Sequence, residues 1–227
     1  ARFQPEKPQR TLLMAHWDSR PVADKDSVDR LLPIPGANDG ASGVGVLLEI
    51  ARVLAAHPRM PFVGVDILLL DAEDYGNPAI AGDSLLAPET WCLGARHWAA
   101  QVDTAAYKPM YGILLDMVGG RDAVFTREHT SMRQAAFIMN RVWRIAHNLG
   151  YGSYFSWEET RFVGIDDHMV VYEATGIPSI DIIQYDASTP SGFFDRHHTH
   201  RDDMTGIDKA TLRAVGETLL ELIYTQY

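Results

Sequence analysis

The sequence of 227 residues contains a single cysteine, Cys92. One thiol excludes an intramolecular disulfide framework and a cysteine-rich metal site. Its neighbours Trp91, Leu93 and Gly94 offer no base that would activate it as a nucleophile. We therefore expect Cys92 to be a buried, unreactive thiol.

Basic residues are also few. The chain has 20 lysines and arginines against 30 aspartates and glutamates, a formal net charge of −10. Because nucleic-acid-binding proteins normally carry a basic face, this balance argues against a nucleic-acid partner, and it gives no support for docking to an anionic membrane. No apolar run approaches the roughly 20 residues that span a bilayer, so we expect no transmembrane segment. Residues 1–5 do not form a signal peptide.

Two catalytic motifs are missing as well. The chain has no Gly-x-Ser-x-Gly segment, which argues against a serine hydrolase. The glycine-rich segment 36–43 lacks the Lys-Ser/Thr pair of a phosphate-binding loop, and Asp39 within it would repel phosphate. These absences leave an acidic protein without a nucleotide site.

The length of the chain is typical of one domain, which we place at residues 1–227. Apolar runs predict four strands, at 11–15, 65–70, 111–120 and 179–183. Helical spacing of apolar residues predicts five helices, at 44–55, 91–100, 130–148, 166–176 and 212–223. We interpret the intervening segments 1–10, 19–36, 76–90, 151–164 and 185–206 as loops. This alternation predicts an α/β fold of three layers, with a central, mostly parallel mixed sheet flanked by helices.

The central apolar run, 65–70, leads into three acids within four residues, Asp71, Glu73 and Asp74. Burying unpaired carboxylates costs several kcal/mol each unless a cation or hydrogen bonds compensate. In open α/β sheets, ligands bind at this end of the strands. The stretch therefore predicts either a cation site or, as the simpler interpretation, a solvated loop with surface acids.

Chemistry-bearing side chains recur just after other apolar runs, at His16, Asp18, Asp39, Asp116 and His198. Because strand-end loops of one sheet converge, these residues can meet in space. Two carboxylates and one histidine with an open position are typical of a catalytic zinc site. A neighbouring carboxylate that is not a ligand would be the general acid and base.

Each residue also has an ordinary explanation. Asp39 is compatible with a turn or cap, His198 with a loop histidine, and Asp116 with a strand-end acceptor of backbone amides. Asp166 is well placed to be a helix N-cap. Residues 201–203 are compatible with a solvated run of charges.

Several motifs together resemble the bacterial branch of the animal-type, zinc-dependent glutaminyl cyclases, which share their fold with the M28 zinc aminopeptidases. The resemblance rests on 15–20 (AHWDSR), 36–43 (GANDGASG), 71–76 (DAEDYG), 90–94 (TWCLG), 114–117 (LLDM), 166–168 (DDH) and His198-Thr199-x-x-Asp202. It implies a zinc-aminopeptidase-like fold. The family normally has a further helix and strand before residue 12.

The resemblance implies a role for each site residue. The ligands of one Zn²⁺ per chain would be Asp39, Asp74 and His198, with His16 beside them. Glu73 would be the general acid and base. Asp116 and Asp166 would form a hydrogen-bonded pair that shares a proton. The substrate pocket would be walled by Trp91, Phe193, Ile165 and His197, and His197 stands where the family usually has a tryptophan.

The implied reaction is cyclisation of an N-terminal glutamine to pyroglutamate with loss of ammonia, so the partners would be peptides or proteins that begin with glutamine. The resemblance further suggests a periplasmic or secreted location and a cis peptide bond between Asp39 and Gly40. We expect a monomer. The alternative is an M28-type aminopeptidase, because His16, Asp39 and Asp116 also match the ligands of its second metal. A peptidase-like domain that only binds a partner and has no activity is disfavoured, because all the metal ligands implied by the resemblance are present.

Overall fold

The structure is a computed structural model that describes residues 1–57, 60–77, 87–160 and 164–226. Its main sheet has five strands in the order β1-β3-β2-β4-β7. The strands are β1 (Arg2–Phe3), β2 (Arg10–His16), β3 (Gly64–Leu70), β4 (Tyr111–Asp116) and β7 (Ser179–Ile183). Only the edge strand β1 is antiparallel to its neighbour. The prediction of a mostly parallel mixed sheet is therefore confirmed.

Five α-helices cover the two faces of the sheet, as predicted: α1 (Ala41–Ala56), α2 (Leu93–Gln101), α3 (His129–Asn148), α4 (Asp167–Thr175) and α5 (Lys209–Thr225). Apolar residues of α1, α3 and α5 form one core with the sheet, and those of α2 and α4 form a second core with it. The fold thus has three layers. Every helix in the described residues is too short or too polar to cross a membrane.

Two segments interpreted as loops contain strands. Residues 155–160 form β6 (Phe155–Thr160), which pairs in parallel with β5 (Phe125–Glu128). The prediction of a loop over 151–164 was wrong here because only Phe155 is apolar and buried at the start of a largely polar strand. Its ring packs 5.1 Å from the rings of Phe125 and Trp143.

The polar segment 1–10 was also expected to be a loop, yet it contains β1. The buried guanidinium of Arg10 donates to both carboxylate oxygens of Asp66 on β3, at 2.7 and 2.6 Å. It also donates to the main-chain oxygens of Phe3 and Gln4. This network holds the first residues against β3. Most of the predicted loop 76–90 lies outside the described residues.

The parallel strands place their carboxyl ends at one edge of the sheet. His16 ends β2 opposite Leu70, which ends β3, and Asp116 ends β4 opposite Ile183, which ends β7. Helix α1 begins at the same edge because Gly43 allows its first turn to approach β4: a Cβ there would lie 2.2 Å from the main-chain oxygen of Leu115. The edge therefore gathers every predicted site residue that follows an apolar run.

Candidate metal centre and active site

The three predicted zinc ligands are buried and close together. His198 Nε2 lies 3.1 Å from Asp74 Oδ1 and 3.6 Å from Asp39 Oδ2. Asp39 Oδ2 and Asp74 Oδ2 are buried without a hydrogen-bond partner among the described residues. Such oxygens are costly unless a cation compensates them. Two carboxylates and an imidazole suit Zn²⁺ with an open position, so the residues present fit the implied metal.

Two further aspartates fix the main chain on either side of this centre. Asp18 accepts hydrogen bonds from the amides of Glu73 and Asp74, both at 3.1 Å. Asp202 accepts from the amides of Asn38 and Asp39, at 2.9 and 3.0 Å. Asp202 is 1% exposed, so a solvated run of charges at 201–203 does not describe it. Each aspartate orients a segment that carries a ligand.

Arg20 and Asp24 were not identified from the sequence, where they fall in the predicted loop 19–36. The Arg20 side chain is fully buried and donates to the main-chain oxygen of Asp74 at 2.8 Å and to Asp24 Oδ2 at 2.8 Å. Asp24 Oδ1 in turn lies 3.3 Å from His198 Nδ1. Burial raises the pKa of Asp24, but His198 and Arg20 outweigh it and bring the pKa to about 2. A permanent carboxylate therefore supports His198. The signal missed was a charged pair, four residues apart, in a loop adjoining the site.

The predicted base, Glu73, is 8% exposed and lines a cavity of about 160 Å³ together with the metal ligands. Burial, and then the charge of Asp74, raises the pKa of Glu73 well above its usual range. The buried thiol of Cys92 lies 3.4 Å from Glu73 Oε1 and donates to it. Cys92 is thus buried as expected, but it contacts the base directly. A carboxyl group with a raised pKa beside a metal shell is suited to taking up and releasing a proton.

Asp116 and Asp166 line the same cavity but bond to different partners. Asp116 Oδ1 is 3.1 Å from His16 Nε2, and Asp166 Oδ1 accepts from the Asp167 amide at 2.6 Å. The expected hydrogen bond between Asp116 and Asp166, which needs a proton shared by the two carboxyl groups, stays a prediction. Asp166 is also the N-cap of α4. Burial still raises the pKa of Asp116, against the lowering effect of His16.

All four predicted wall residues, Trp91, Ile165, Phe193 and His197, line this cavity. Trp91 is nearly parallel to the His198 ring, with centroids 6.4 Å apart, and the Arg20 guanidinium lies over its indole at 4.6 Å. The wall and the ligands therefore form one packed unit. A larger cleft of about 520 Å³ is lined by other residues, including Asn38 and Asp202, and none of the predicted ligands faces it.

The Asp39–Gly40 peptide is trans, since the described residues contain no cis peptide bond. The expected cis bond is therefore wrong. The chain turns here through Gly40 instead, whose φ of 93° lies in the region that favours glycine. A Cβ at Gly40 would also lie 2.5 Å from the main-chain oxygen of Asp18.

Comparison with known proteins identifies the family to which this fold and site belong. The model of Peptidase family M28 matches residues 1–223, and the chain belongs to that family. The curated Aminopeptidase YwaD of Bacillus subtilis is 26% identical over 220 residues, 96% of this chain. The chain spans only 41% of the length of that relative.

Solved structures are much more similar. The glutaminyl cyclase of Tannerella forsythia is 49% identical with a TM-score of 0.93, and the match covers 100% of this chain and 77% of that one. A Zn-dependent exopeptidase from Parabacteroides distasonis is 47% identical with a TM-score of 0.91, covering 99% of this chain and 76% of its own. Within family M28, the chain is thus similar over its whole length to a glutaminyl cyclase and to a zinc exopeptidase.

Proposed function

We propose that this protein is a zinc-dependent glutaminyl-peptide cyclotransferase, which converts the N-terminal glutamine of peptides to pyroglutamate and releases ammonia. The observation that carries the proposal is the whole-chain similarity to the Tannerella forsythia glutaminyl cyclase. The assembled site supports it, because the residues that the reaction needs line one small cavity.

One Zn²⁺ per chain would be held by Asp39, Asp74 and His198, whose donor set fits it. Bound there, zinc would supply Lewis acidity toward the carbonyl of the glutamine γ-carboxamide. The nucleophile is the α-amine of the substrate itself, so the protein needs no activated water. Its task is to orient the amine and the carboxamide toward each other and to move protons.

Glu73 takes a proton from the attacking α-amine and returns it to the leaving carboxamide nitrogen, which departs as ammonia. This shuttle favours a carboxyl group whose pKa lies above that of an exposed glutamate, and burial raises the pKa of Glu73 in that direction. Asp116 and Asp166, on the same cavity, are placed to accept hydrogen bonds from the amine and the departing nitrogen.

The cavity also has to keep water away from the reacting carbonyl, since hydrolysis would yield glutamate instead of pyroglutamate. Its volume of about 160 Å³ accommodates a small side chain with its amine and leaves the rest of the peptide outside. The half-buried rings of Trp91 and Phe193 line it. The substrate class that follows is peptides and proteins with an exposed N-terminal glutamine.

A second candidate function is an aminopeptidase with two metals. It is favoured by one observation: ligand atoms of His16, Asp39 and Asp116 lie within 4.8 Å of one another, which suits a second metal ion. The proposed cyclase differs from such a peptidase in metal content, with one zinc ion instead of two. It also differs in product, because a peptidase releases a free amino acid.

Incubation with a glutaminyl dipeptide, followed by mass spectrometry, tests the proposal. We expect stoichiometric ammonia and an intact peptide bond, with about one zinc per chain by elemental analysis. A peptide with N-terminal leucine is the control and should stay unchanged. Release of free amino acids from either peptide, together with two zincs per chain, would establish the peptidase instead. An unchanged glutaminyl peptide would contradict both functions.

We also propose a monomer in a periplasmic or secreted location. The resemblance of the site motifs to the bacterial cyclases supports the location. Cell fractionation and light scattering test these two properties, and a cytoplasmic or dimeric protein would contradict them.

A further inference from the structure

Two neighbouring histidines, His197 and His198, both lie near the proposed metal ligand Asp39. Their rings are stacked with centroids 3.8 Å apart and an interplanar angle of 29°. Both Nε2 atoms approach Asp39 Oδ2, at 3.7 Å for His197 and 3.6 Å for His198. Distance to Asp39 alone therefore does not decide which histidine is a ligand.

The Nδ1 atoms of the two rings face partners whose charges have opposite signs, a carboxylate for His198 and an ammonium group for His197. His198 Nδ1 lies 3.3 Å from a carboxylate oxygen of Asp24. His197 Nδ1 lies 2.5 Å from the ammonium nitrogen of Lys25. These partners are adjacent in sequence, and the Lys25 amide donates to the main-chain oxygen of His198. The pair Asp24-Lys25 is thus fixed opposite the pair His197-His198.

The charge of each partner sets the tautomer of its histidine. An ammonium group has only donors, so His197 Nδ1 has to accept, and the neutral ring then carries its proton on Nε2. That nitrogen has no free lone pair for a metal. A carboxylate has only acceptors, so Asp24 favours a proton on His198 Nδ1 and leaves Nε2 free to bind. Metal-binding histidines typically have such a partner on the other nitrogen.

We propose that Lys25 is a positioning residue, which holds His197 in the Nε2–H tautomer and so keeps it from binding the zinc. His197 then directs its N–H toward Asp39 Oδ2, an oxygen with no hydrogen-bond partner among the described residues. The ammonium of Lys25 is held over the Phe193 ring, 5.3 Å from its centroid, and the same ring lies 4.3 Å from that of His197. This inference rests on the proposed zinc centre but not on the reaction catalysed there.

The tautomer is measured directly by long-range ¹⁵N–¹H correlation NMR of the zinc-loaded, full-length chain, with His197→Trp used to assign the His197 ring. We expect a protonated Nε2 on His197 and a protonated Nδ1 on His198. In Lys25→Met, the donor to Nδ1 is lost, and His197 should shift toward the Nδ1–H form. Lys25→Arg, which also has only donors, should restore the wild-type pattern, and Lys108→Met is the control for losing an exposed lysine. A wild-type His197 protonated on Nδ1, or an unchanged tautomer in Lys25→Met, would overturn the proposal.

The electronic absorption of the Co²⁺-substituted protein gives a second readout that does not depend on activity. Because His197 is no ligand, wild type and His197→Trp should have the same band positions. Lys25→Met should differ from both, since its freed imidazole adds a donor, and the double variant should return to the wild-type spectrum. A band shift in His197→Trp alone would show that His197 binds the metal and would refute the inference. Absence of any zinc in the purified protein would instead refute the proposed function, while NMR of the metal-free chain still tests the role of Lys25.

Discussion

Two of the buried clusters that combine carboxylates with a histidine in the described residues differ in their surroundings. The first, the candidate metal centre, consists of Asp39, Asp74 and His198. The second, which we call the inner cluster, consists of Asp166, His168 and Asp181, whose ligand atoms lie within 4.8 Å of one another. The ligands of the metal centre all line the cavity of about 160 Å³, whereas only Asp166 of the inner cluster does so. His168 and Asp181 are fully buried.

The inner cluster balances its charge from within the chain. His168 lies 3.5 Å from Glu128 and 3.7 Å from Asp166. Burial lowers the pKa of His168, but these two carboxylates outweigh it and bring the pKa to about 9. Burial, and then the charge of Asp166, raises the pKa of Asp181 well above its usual range. The histidine of the inner cluster is thus paired with two carboxylates of the chain itself. Access to a cavity, not residue type, separates the two clusters.

The largest expected effect separates the clusters by metal content. Asp74→Asn should reduce the zinc content from about one ion per chain to nearly none, because a charged ligand is replaced by a neutral one. Asp181→Asn, the matched change in the inner cluster, should leave zinc at the wild-type level. Elemental analysis after gel filtration measures both. Equal zinc loss in the two variants would remove the distinction between the clusters.

Glu73→Gln should keep the zinc but lower kcat for the glutaminyl peptide by roughly 10²–10⁴-fold, the usual contribution of a general base. The amide has a similar shape but cannot accept and return a proton. Glu89→Gln changes an exposed acid on the nearby turn 88–90 and should retain full activity. Steady-state kinetics with parallel metal analysis decides, and an active Glu73→Gln enzyme would remove this residue from the mechanism.

The inner cluster should influence stability rather than zinc binding. The pKa of His168 is about 9 in the fold against 6.5 ordinarily, so its protonation stabilises the fold below about pH 6.5, and this stabilisation is lost as pH rises through 9. A shift of this size corresponds to on the order of 3 kcal/mol. Urea unfolding at about pH 6 and about pH 10 should therefore show a larger stability loss in wild type than in His168→Gln. Parallel losses in both proteins would contradict this assignment.

The smallest expected effect on zinc binding concerns Asp24, which lies beside the proposed metal ligand His198. Asp24→Asn should weaken zinc binding by about 10–100-fold, the range typical of residues that orient a ligand histidine. The free energy of unfolding of the metal-free chain should change less than in His168→Gln. Competition with a chromophoric chelator measures the affinity, with Asp29→Asn in the same loop as the control. An unchanged zinc affinity would mean that His198 needs no carboxylate partner.

Much of the fold was predictable because its signals are local. Apolar runs identified β2, β3, β4 and β7, and helical periodicity identified all five α-helices. Strands β1, β5 and β6 were missed because their residues are largely polar. They are held by distant partners, as Arg2 of β1 donates to Asp66 and as Phe155 of β6 packs on Phe125 of β5. A pattern within one segment does not contain these contacts.

The sequence by itself determined which side chains have the chemistry to bind zinc and move a proton, since Glu73 and Asp74 directly follow β3 and His198 lies in the loop after β7. Only the tertiary structure decided how they are held. Asp18 lies 55 residues from the amide of Glu73, Asp202 lies 163 residues from that of Asp39, and Lys25 lies 172 residues from His197. The physical reason is that a hydrogen bond depends on position and direction in space. The tautomer of His197, and with it the choice between two adjacent histidines, follows from a lysine in a distant loop.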